Sequence, residues 1–245
     1  MKVSDDICIK LQKAILTGKY PSHSRFPSER ELAEKYQVSR PIIREAVAKL
    51  TQLGLVETRP KSGTYVSDFQ TEGSIDLLIH IMKSNEAIDS EILISLLKIR
   101  RVAEASMAHE TALKATPDDV TMLKDAGDEL INCILTRPDD ITRLSECDYI
   151  YHATLVRASH NLVYQLLFNS FKPIYKFYAD YYYTLEGTHE VTINLVNDLM
   201  QAIRDKDGER AEAVMKDAIL SSEERLIESL GLRAADGMIN LRNGY

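Results

Sequence analysis

The stretch 26–66 constrains the fold of this chain more than any other part of the sequence. Within it, Ser28 and Glu31 have the spacing of a capping box, in which the serine caps a helix and the glutamate reaches back to it. That short helix is predicted to end near Tyr36. After the turn "QVSRP", Ser39 is the predicted N-cap of a second helix, since serine is favoured at that position. Pro41 is compatible with this start, because proline is tolerated in the first turn of a helix.

The second of these helices predicts a surface for binding. Its apolar positions recur at helical spacing, whereas Arg40 and Arg44 lie on a different, outward face. The apolar stripe consists of Ile42, Ile43, Ala46, Val47, Leu50 and Leu53. A further helix is predicted before it, over 4–17, and "LVETRPKSGTYV" after it predicts two short strands around a turn at Gly63. This order predicts a winged helix-turn-helix, whose recognition helix fits the major groove of DNA.

The charge distribution agrees with a polyanionic partner for the first part of the chain only. Residues 1–68 hold 12 Lys and Arg against 8 Asp and Glu, a net charge of +4, and residues 69–245 hold 18 against 29, a net charge of −11. A small basic domain attached to a large acidic one is therefore expected.

The sequence blocks "PSERELA", "VSRPIIREA", "GLVETR" and "GTYV" resemble, in order and spacing, the DNA-binding domain of the GntR family of bacterial transcription regulators. The resemblance implies a set of DNA-contacting residues, of which the helix-face argument selects two independently. The set is Arg30, Ser39, Arg40 and Arg44, with Lys61, Ser62 and Gly63 at the tip of the wing. One departure is His23, which stands where the family usually has glycine.

Beyond residue 75 the pattern predicts helices only. The predicted domains are 1–68 (winged helix-turn-helix), a linker at 69–74, an all-helical effector-binding and dimerisation domain at 75–232, and a tail at 233–245. After a first long helix, the others are expected at about 117–135, 138–158, 161–183, 188–206 and 208–230. The fold class is thus mainly α, with a C-terminal bundle of six or seven helices.

Asp148 and His152 stand four positions apart, which places both on one face of a predicted helix. This spacing alone is compatible with half of a metal site, an acid–base pair or an ordinary polar contact. The acid–base alternative would make the helical domain an enzyme. We consider that alternative the weaker one, because no positioned nucleophile, phosphate loop or complete metal set accompanies the pair.

A second resemblance bears on this pair. "LLKIRRVAEASMA", "DYIYHATLVRASHN" and "DLMQAIRDKDGERAEAVMKDAI" resemble the effector-binding domain of the FadR branch of the GntR family, with Arg100 and Glu104 at its opening positions. Many members of the branch hold a metal ion with this Asp and His plus two further histidines. Those two positions fall here on Val196 and Ala218, which cannot bind a metal. The resemblance therefore implies no metal cofactor, and a polar wall of an effector pocket instead.

The identity of the effector is suggested by the segment 158–183, which resembles the fatty-acid regulators of the same branch. This resemblance implies a fatty acid or acyl-CoA; the alternative is a small organic or sugar acid, in a site that could include a metal. The segment also carries an aromatic stripe, Phe171, Ile174, Tyr175, Tyr178 and Tyr182, which is either plain core or the wall of a pocket. The candidate effector-binding residues are Arg100, Asp148, His152, Tyr175, Tyr178 and Tyr182.

Taken together, these patterns predict a homodimeric regulator that binds a pseudo-palindromic double-stranded operator and responds to a small molecule. No apolar run approaches the ~18 residues of a membrane helix, so a cytoplasmic protein without a membrane partner is expected. Cys8, Cys133 and Cys147 are scattered and lack a C-x-x-C spacing, and they are interpreted as reduced structural thiols.

Overall fold

The computed structural model of the chain describes residues 2–84, 87–88, 90–231 and 239–240. It contains two compact units, Met1–Asn85 and Glu86–Tyr245. The predicted fold class is confirmed: helices dominate both units, and the main strand pair forms the wing of the first.

The first unit has the predicted winged arrangement. Its elements are α1 Val3–Leu16, α2 Glu29–Tyr36, α3 Arg40–Gln52, β1 Val56–Arg59, β2 Gly63–Val66, α4 Phe69–Glu72 and α5 Ile75–Ser84. The strands β1 and β2 are antiparallel, with Val56 opposite Val66 and Arg59 opposite Gly63.

Local hydrogen bonds explain where α2 begins. The backbone N–H of Glu31 donates to Oγ of Ser28 at 3.3 Å, and that of Ser28 donates to Oε2 of Glu31 at 2.7 Å, which completes the predicted capping box. Ser39 occupies the N-cap position of α3, but its side chain makes no capping hydrogen bond. The core of the unit includes fully buried side chains from three helices and the segment before β1, namely Leu11, Leu32, Ile43, Leu50 and Leu55.

The compact N-terminal unit extends further than the domain limit expected at residue 68. Instead of a linker, Phe69–Glu72 forms α4, and α5 packs on the first unit, although the sequence pattern placed it in the helical domain. The cause is the burial of apolar side chains: Leu77 is buried in the N-terminal core, and Phe69 and Ile81 pack against that core.

The second unit contains seven described helices. They are α6 Ser90–Lys114, α7 Pro117–Thr136, α8 Ile141–Ala158, α9 Leu162–Ser170, α10 Lys172–Tyr182, α11 Thr188–Arg204 and α12 Gly208–Ser229. Thr116 caps α7, because its hydroxyl accepts the backbone N–H of Asp119 at 3.2 Å. The two-residue strands β3 Ala87–Ile88 and β4 Ile239–Asn240 pair antiparallel. Two residues are too few to give a periodic signal, so the sequence did not predict them.

One predicted helix, 161–183, is in fact two. The helical run stops at Phe171 and restarts as α10 with Pro173 in its first turn. Proline has no N–H to donate and its ring clashes with the carbonyl four residues earlier, so a continuous helix through this point is disfavoured. In the part of the chain that the structure describes, no helix is long and apolar enough to cross a membrane.

Candidate DNA-binding surface and effector cavity

A shallow concavity lies at the turn between α2 and α3. Arg30 and Arg40 both line it, together with Gln37, Val38 and Ser39. Gln37 adopts a left-handed conformation (φ 54°), which ends α2 and turns the chain toward α3. The structure thus brings together three of the seven residues expected to contact DNA, all of them exposed.

The arginines of this surface differ in how they are paired. Arg44 forms a bidentate ion pair with Glu29, with Nε–Oε1 at 3.1 Å and Nη2–Oε2 at 3.0 Å, and Arg30 pairs with Glu34 at 3.2 Å. Arg40 forms no ion pair with any residue that the structure describes. Because the side chains of Arg30 and Arg44 are both 70% exposed, these pairs are well hydrated and are easily exchanged for phosphate contacts.

The wing adds two basic side chains that the motif did not select. Lys61 has a φ of 62° and Gly63 a φ of 114°, so the tip is a tight turn in which glycine is favoured. The Arg25 guanidinium lies against Gly63, where an added Cβ would be 3.4 Å from its Nε. Arg59 stacks on the Tyr65 ring, with 4.5 Å between Cζ and the ring centroid. Arg25 precedes the stretch 26–66 and Arg59 lies within it, but the family resemblance assigns neither to DNA. Only their positive charge could have indicated them as DNA contacts.

In the second unit, a cavity with about 340 Å³ of empty space, its open mouth included, lies among α6, α8, α10, α11 and α12. Five of the six residues expected to bind an effector line it: Arg100, Asp148, His152, Tyr178 and Tyr182. The other lining residues, which the sequence did not single out as effector ligands, are Val191, Thr192, Leu195, Ala218, Ile219 and Ser222.

The floor of the cavity is a buried chain of charged and ionisable groups. Arg100 donates from Nε to Oε1 of Glu104 at 2.7 Å, and Oε2 of Glu104 is 3.1 Å from Nδ1 of His152. Nε2 of His152 is in turn 4.0 Å from Oδ1 of Asp148. Burial alone would lower the pKa of Arg100, but the Glu104 carboxylate holds it well above its ordinary value. Burial alone would raise the pKa of Glu104, but Arg100 and His152 lower it, so both stay charged.

Asp148 is fixed by two tyrosines. Tyr175 donates to Oδ2 at 2.6 Å and Tyr183 to Oδ1 at 2.9 Å. Burial raises the pKa of both phenols well above its usual range, and the negative charge of Asp148 raises it further, so both remain donors. The sequence predicted that Tyr175 would line the cavity, and this is wrong. Tyr175 instead holds Asp148, which forms part of the cavity wall.

Two polar atoms that line the cavity make no well-directed hydrogen bond to a described residue, although the Tyr178 hydroxyl lies near Ser222 and Arg100. They are Nη1 of Arg100 and the hydroxyl of Tyr178, both buried. The Arg100 guanidinium stacks over the Tyr178 ring, with 4.2 Å between Cζ and the ring centroid. Unpaired buried donors are costly, so a ligand that accepts hydrogen bonds from both would be favoured.

The residues of this cavity do not fit the metal site of the FadR branch. Ala218 lines the cavity and has no ligand atom. Val196 is buried but does not line the cavity: its Cγ1 would be 2.8 Å from a Cβ added to Gly127 on α7. Thr192 and Leu195 line the cavity from α11 instead. Since both oxygens of Asp148 already accept tyrosine hydrogen bonds, Asp148 and His152 leave a first-row metal short of the usual three or more protein ligands.

Three residues of the segment 158–183, which resembles the fatty-acid regulators, serve the packing of α9 and α10. Asn161 caps α9 by accepting from the backbone N–H of Val163 at 3.1 Å. Tyr164 hydrogen bonds Ser106 at 2.9 Å, and Lys172 lies 4.5 Å from the Tyr149 ring centroid. These three residues lie outside the cavity lining, whereas Tyr178 and Tyr182 of the same segment line it.

Comparison with known proteins agrees with this architecture. The model of bacterial regulatory proteins of the gntR family matches residues 4–66, and that of the FCD domain matches residues 95–220. The galactonate operon transcriptional repressor of Escherichia coli (strain K12) is 28% identical over 226 residues, covering 92% of this chain and 97% of the relative. The fatty acid metabolism regulator protein of Shewanella sp. (strain MR-7) is 26% identical over 204 residues, covering 83% and 81%.

Among solved structures, that of Lar, which controls expression of the Listeria monocytogenes agr system, gives a TM-score of 0.58 at 14% identity and covers 93% of this chain and 98% of that one. This likeness shows the fold. The FCD match alone spans more than half of the 245 residues. The chain therefore belongs to the GntR family and is a DNA-binding transcription regulator with a C-terminal FCD domain, rather than an enzyme.

Proposed function

We propose that this regulator binds a pseudo-palindromic operator as a homodimer and responds to a small hydroxylated carboxylic acid held in the FCD cavity. The observation that supports the effector part is a pair of buried donors that make no well-directed hydrogen bond to a described residue, Arg100 Nη1 and the Tyr178 hydroxyl. A guanidinium and a phenol that meet at one cavity suit the two oxygens of a carboxylate.

The rest of the lining suits hydroxyl groups. The Ser222 hydroxyl donates to the Ile219 carbonyl at 2.7 Å, so its lone pairs remain available to accept. Thr192 has only long contacts, at 3.5 Å, with the hydroxyls of Tyr182 and Tyr183. One end of the cavity thus offers donors to a carboxylate, and two hydroxyls are available to alcohol groups.

The size of the cavity favours the small acid over the acyl-CoA expected first from the sequence. The 340 Å³ of empty space includes the open mouth, and the volume that a water-sized group can occupy is only about 20 Å³. A long acyl chain therefore has no room, and even a small acid requires the lining side chains to move apart. Among the relatives, the galactonate operon repressor is named for a sugar acid and the Shewanella protein for fatty acid metabolism. The size and polarity of the cavity suit a sugar acid better than a fatty acid.

For the DNA half of the proposal, the supporting observation is the exposed basic surface of α2, α3 and the wing. Arg30, Arg40 and Arg44 would contact phosphates and base edges, and the wing residues Lys61, Ser62 and Gly63 would follow the adjacent backbone. Pairing of two such units about a two-fold axis would require a pseudo-palindromic operator.

A second copy of the chain has a candidate surface on α6 and α9. These two helices are joined by the Ser106–Tyr164 hydrogen bond and carry exposed apolar side chains. The residues, with their exposed fractions, are Ile99 (55%), Val102 (70%), Leu162 (66%), Val163 (71%) and Leu166 (58%). Exposed apolar groups of this extent are typical of protein interfaces.

The effector proposal is tested by thermal unfolding of the purified protein with galactonate, lactate and other small hydroxy acids, and with free fatty acids and acyl-CoAs of 12 to 18 carbons. We expect a hydroxy acid at about 100 times its Kd to stabilise the protein by about 2.7 kcal/mol. Stabilisation by acyl-CoA alone would contradict the proposal and restore the fatty-acid alternative.

Two variants make this test specific. Thr192→Val keeps the shape of the cavity and removes one hydroxyl, so we expect it to weaken binding of the hydroxy acid by about tenfold. Lys172→Ala is the matched control, because Lys172 is exposed, lies outside the cavity and contacts the Tyr149 ring instead. Equal loss in both variants would show that the effect is not specific to the cavity.

A further inference from the structure

Two of the three cysteines lie against each other although they are distant in sequence. The Sγ atoms of Cys133 on α7 and Cys147 on α8 are 3.0 Å apart, and both residues are buried. The length of a disulfide is about 2.05 Å, so a displacement of about 1 Å would join them. The scattered spacing of the cysteines in the sequence gave no sign of this pair, because only the packing of α7 on α8 brings it together.

The pair lies beneath a surface ion pair rather than deep in the core. Glu129, whose side chain is 52% exposed, has its Oε1 3.6 Å from the Cys133 Sγ. The same oxygen accepts from Nη2 of Arg143 at 2.8 Å. The side chains of Arg143 and Glu129 are 38% and 52% exposed, so their displacement would bring a small neutral oxidant toward the buried sulfurs.

The same three ligand atoms, from Glu129, Cys133 and Cys147, lie within 4.8 Å of one another, which is close enough for a thiophilic metal ion. The Arg143 guanidinium argues against that occupant, because its charge would repel the cation and it already holds the Glu129 carboxylate. A dithiol needs no such ligand, so covalent sulfur chemistry is favoured.

We propose that Cys133 and Cys147 form an oxidisable dithiol, which a hydroperoxide converts into a disulfide joining α7 to α8. Burial and the neighbouring Cys133 raise the pKa of the Cys147 thiol to about 12, so Cys133 is assigned as the attacking sulfur. In the first step its thiolate attacks the peroxide O–O bond, which breaks to release water or an alcohol and leaves a sulfenic acid. The second thiol sulfur then attacks the sulfenic sulfur, forms the S–S bond and releases water. The two sulfurs lose two electrons in total, and the peroxide is reduced by two.

This disulfide would bear on the effector cavity through α8, because Cys147 directly precedes Asp148 in the sequence. It would also close a 15-residue loop that contains the α7–α8 turn. Loop closure lowers the conformational entropy of the unfolded chain, so we expect the oxidised protein to unfold about 5–10 °C higher than the reduced one.

The test counts thiols with a chromogenic disulfide reagent in denaturant, before and after treatment of the folded protein with hydrogen peroxide. We expect three thiols to fall to one, and dithiothreitol to restore three. Restoration excludes over-oxidation to sulfinic acid, which dithiothreitol does not reverse. Trypsin should then yield one disulfide-linked pair of peptides, 125–143 with 144–157.

Three variants provide the controls. Cys8→Ser should fall from two thiols to none, because it keeps both Cys133 and Cys147, and Cys8 itself lies in the other unit. Cys133→Ser and Cys147→Ser, each first shown by circular dichroism to be helical, should give no disulfide-linked peptide pair. The variant that keeps the attacking sulfur should instead accumulate a sulfenic acid, which dimedone traps.

Three outcomes would overturn the proposal: three thiols that persist after peroxide, a linked peptide that contains Cys8, or a crosslink between two chains. One zinc ion per chain that is lost in Cys133→Ser would also overturn it, in favour of a metal site.

Discussion

The two units of this regulator present their charged groups in opposite ways. The arginines of the N-terminal unit are exposed: Arg44 is paired through hydrated contacts, and Arg40 has no ion pair within the described ranges. In the FCD unit, Glu104 is buried, the Arg100 side chain is only 17% exposed, and the two are joined at 2.7 Å. Exposed charges can exchange one partner for another, whereas buried ones hold a cavity in shape. Substitutions should therefore change binding alone in the first unit, and binding together with stability in the second.

The largest effect is expected from Arg100→Met. It leaves the Glu104 carboxylate buried without its cation, so we expect the free energy of unfolding to fall by about 3–5 kcal/mol, measured by urea denaturation. The double variant Arg100→Met/Glu104→Gln removes the unpaired charge and should recover much of the loss. A single variant as stable as the wild type would break the comparison between the units.

The same pair gives a dependence of stability on pH. Because the folded pKa of Glu104 is lowered, its contribution is fully present above the pKa of the unfolded chain, about 4.3, and is lost as the pH falls through the folded pKa. We expect Glu104→Gln to flatten this part of the curve of unfolding free energy against pH. An unchanged acid limb would show that Glu104 is not charged in the folded protein.

A middle-sized effect is expected from Tyr175→Phe. It removes the 2.6 Å hydrogen bond to Asp148 and leaves one buried carboxylate oxygen without a donor. We expect a loss of about 1.5–3 kcal/mol in the free energy of unfolding. Tyr181→Phe is the matched control, since the Tyr181 hydroxyl has only an exposed 3.3 Å contact with Ser229. Equal losses from the two changes would contradict the special role of Asp148.

A smaller loss of stability is expected from Gly127→Ala, which tests how α7 packs on α11. The added Cβ would be 2.8 Å from Cγ1 of Val196, so we expect a destabilisation of about 1 kcal/mol, after the better helix propensity of alanine is counted. Val196→Ala in the same chain should relieve the clash, so a double-mutant cycle should show coupling. Additive effects would mean that Val196 does not face α7.

The smallest effect on stability is expected in the first unit. Arg40→Ala and Arg44→Ala should each change the free energy of unfolding by no more than about 0.5 kcal/mol. Each should nevertheless weaken operator binding and reduce the slope of log K against log salt by about one unit, measured by fluorescence anisotropy. Glu29→Gln should act in the opposite direction, because it frees Arg44 and removes a negative charge. An unchanged affinity and slope in Arg44→Ala would remove Arg44 from the interface.

The contrast between the units also explains what the sequence could predict. The winged fold depends on local signals such as the Ser28–Glu31 capping box and the Gly63 turn, and these are legible in a linear sequence. The five cavity-lining candidates were likewise found through helical spacing and family resemblance.

Contacts between distant segments could not be found in this way. Tyr183 reaches Asp148 across 35 positions, and Cys133 meets Cys147 only through the packing of two helices. The expected ligand position at Val196 turned toward α7 because Gly127 leaves room for it there. The packing of α5 on the N-terminal unit was missed for the same reason, because periodicity identifies an apolar face but not the element that it packs against.

The most direct test of the central claim joins both units in one measurement. An operator is first selected from random duplex DNA, and release of the labelled operator is then followed by anisotropy while galactonate or lactate is added. We expect one small hydroxy acid to shift operator affinity at least tenfold in the wild type, and Thr192→Val to need about tenfold more acid while binding the operator equally well without it. Release by acyl-CoA alone, or an identical response in Thr192→Val, would contradict the assignment of the cavity as the site of a small hydroxylated acid.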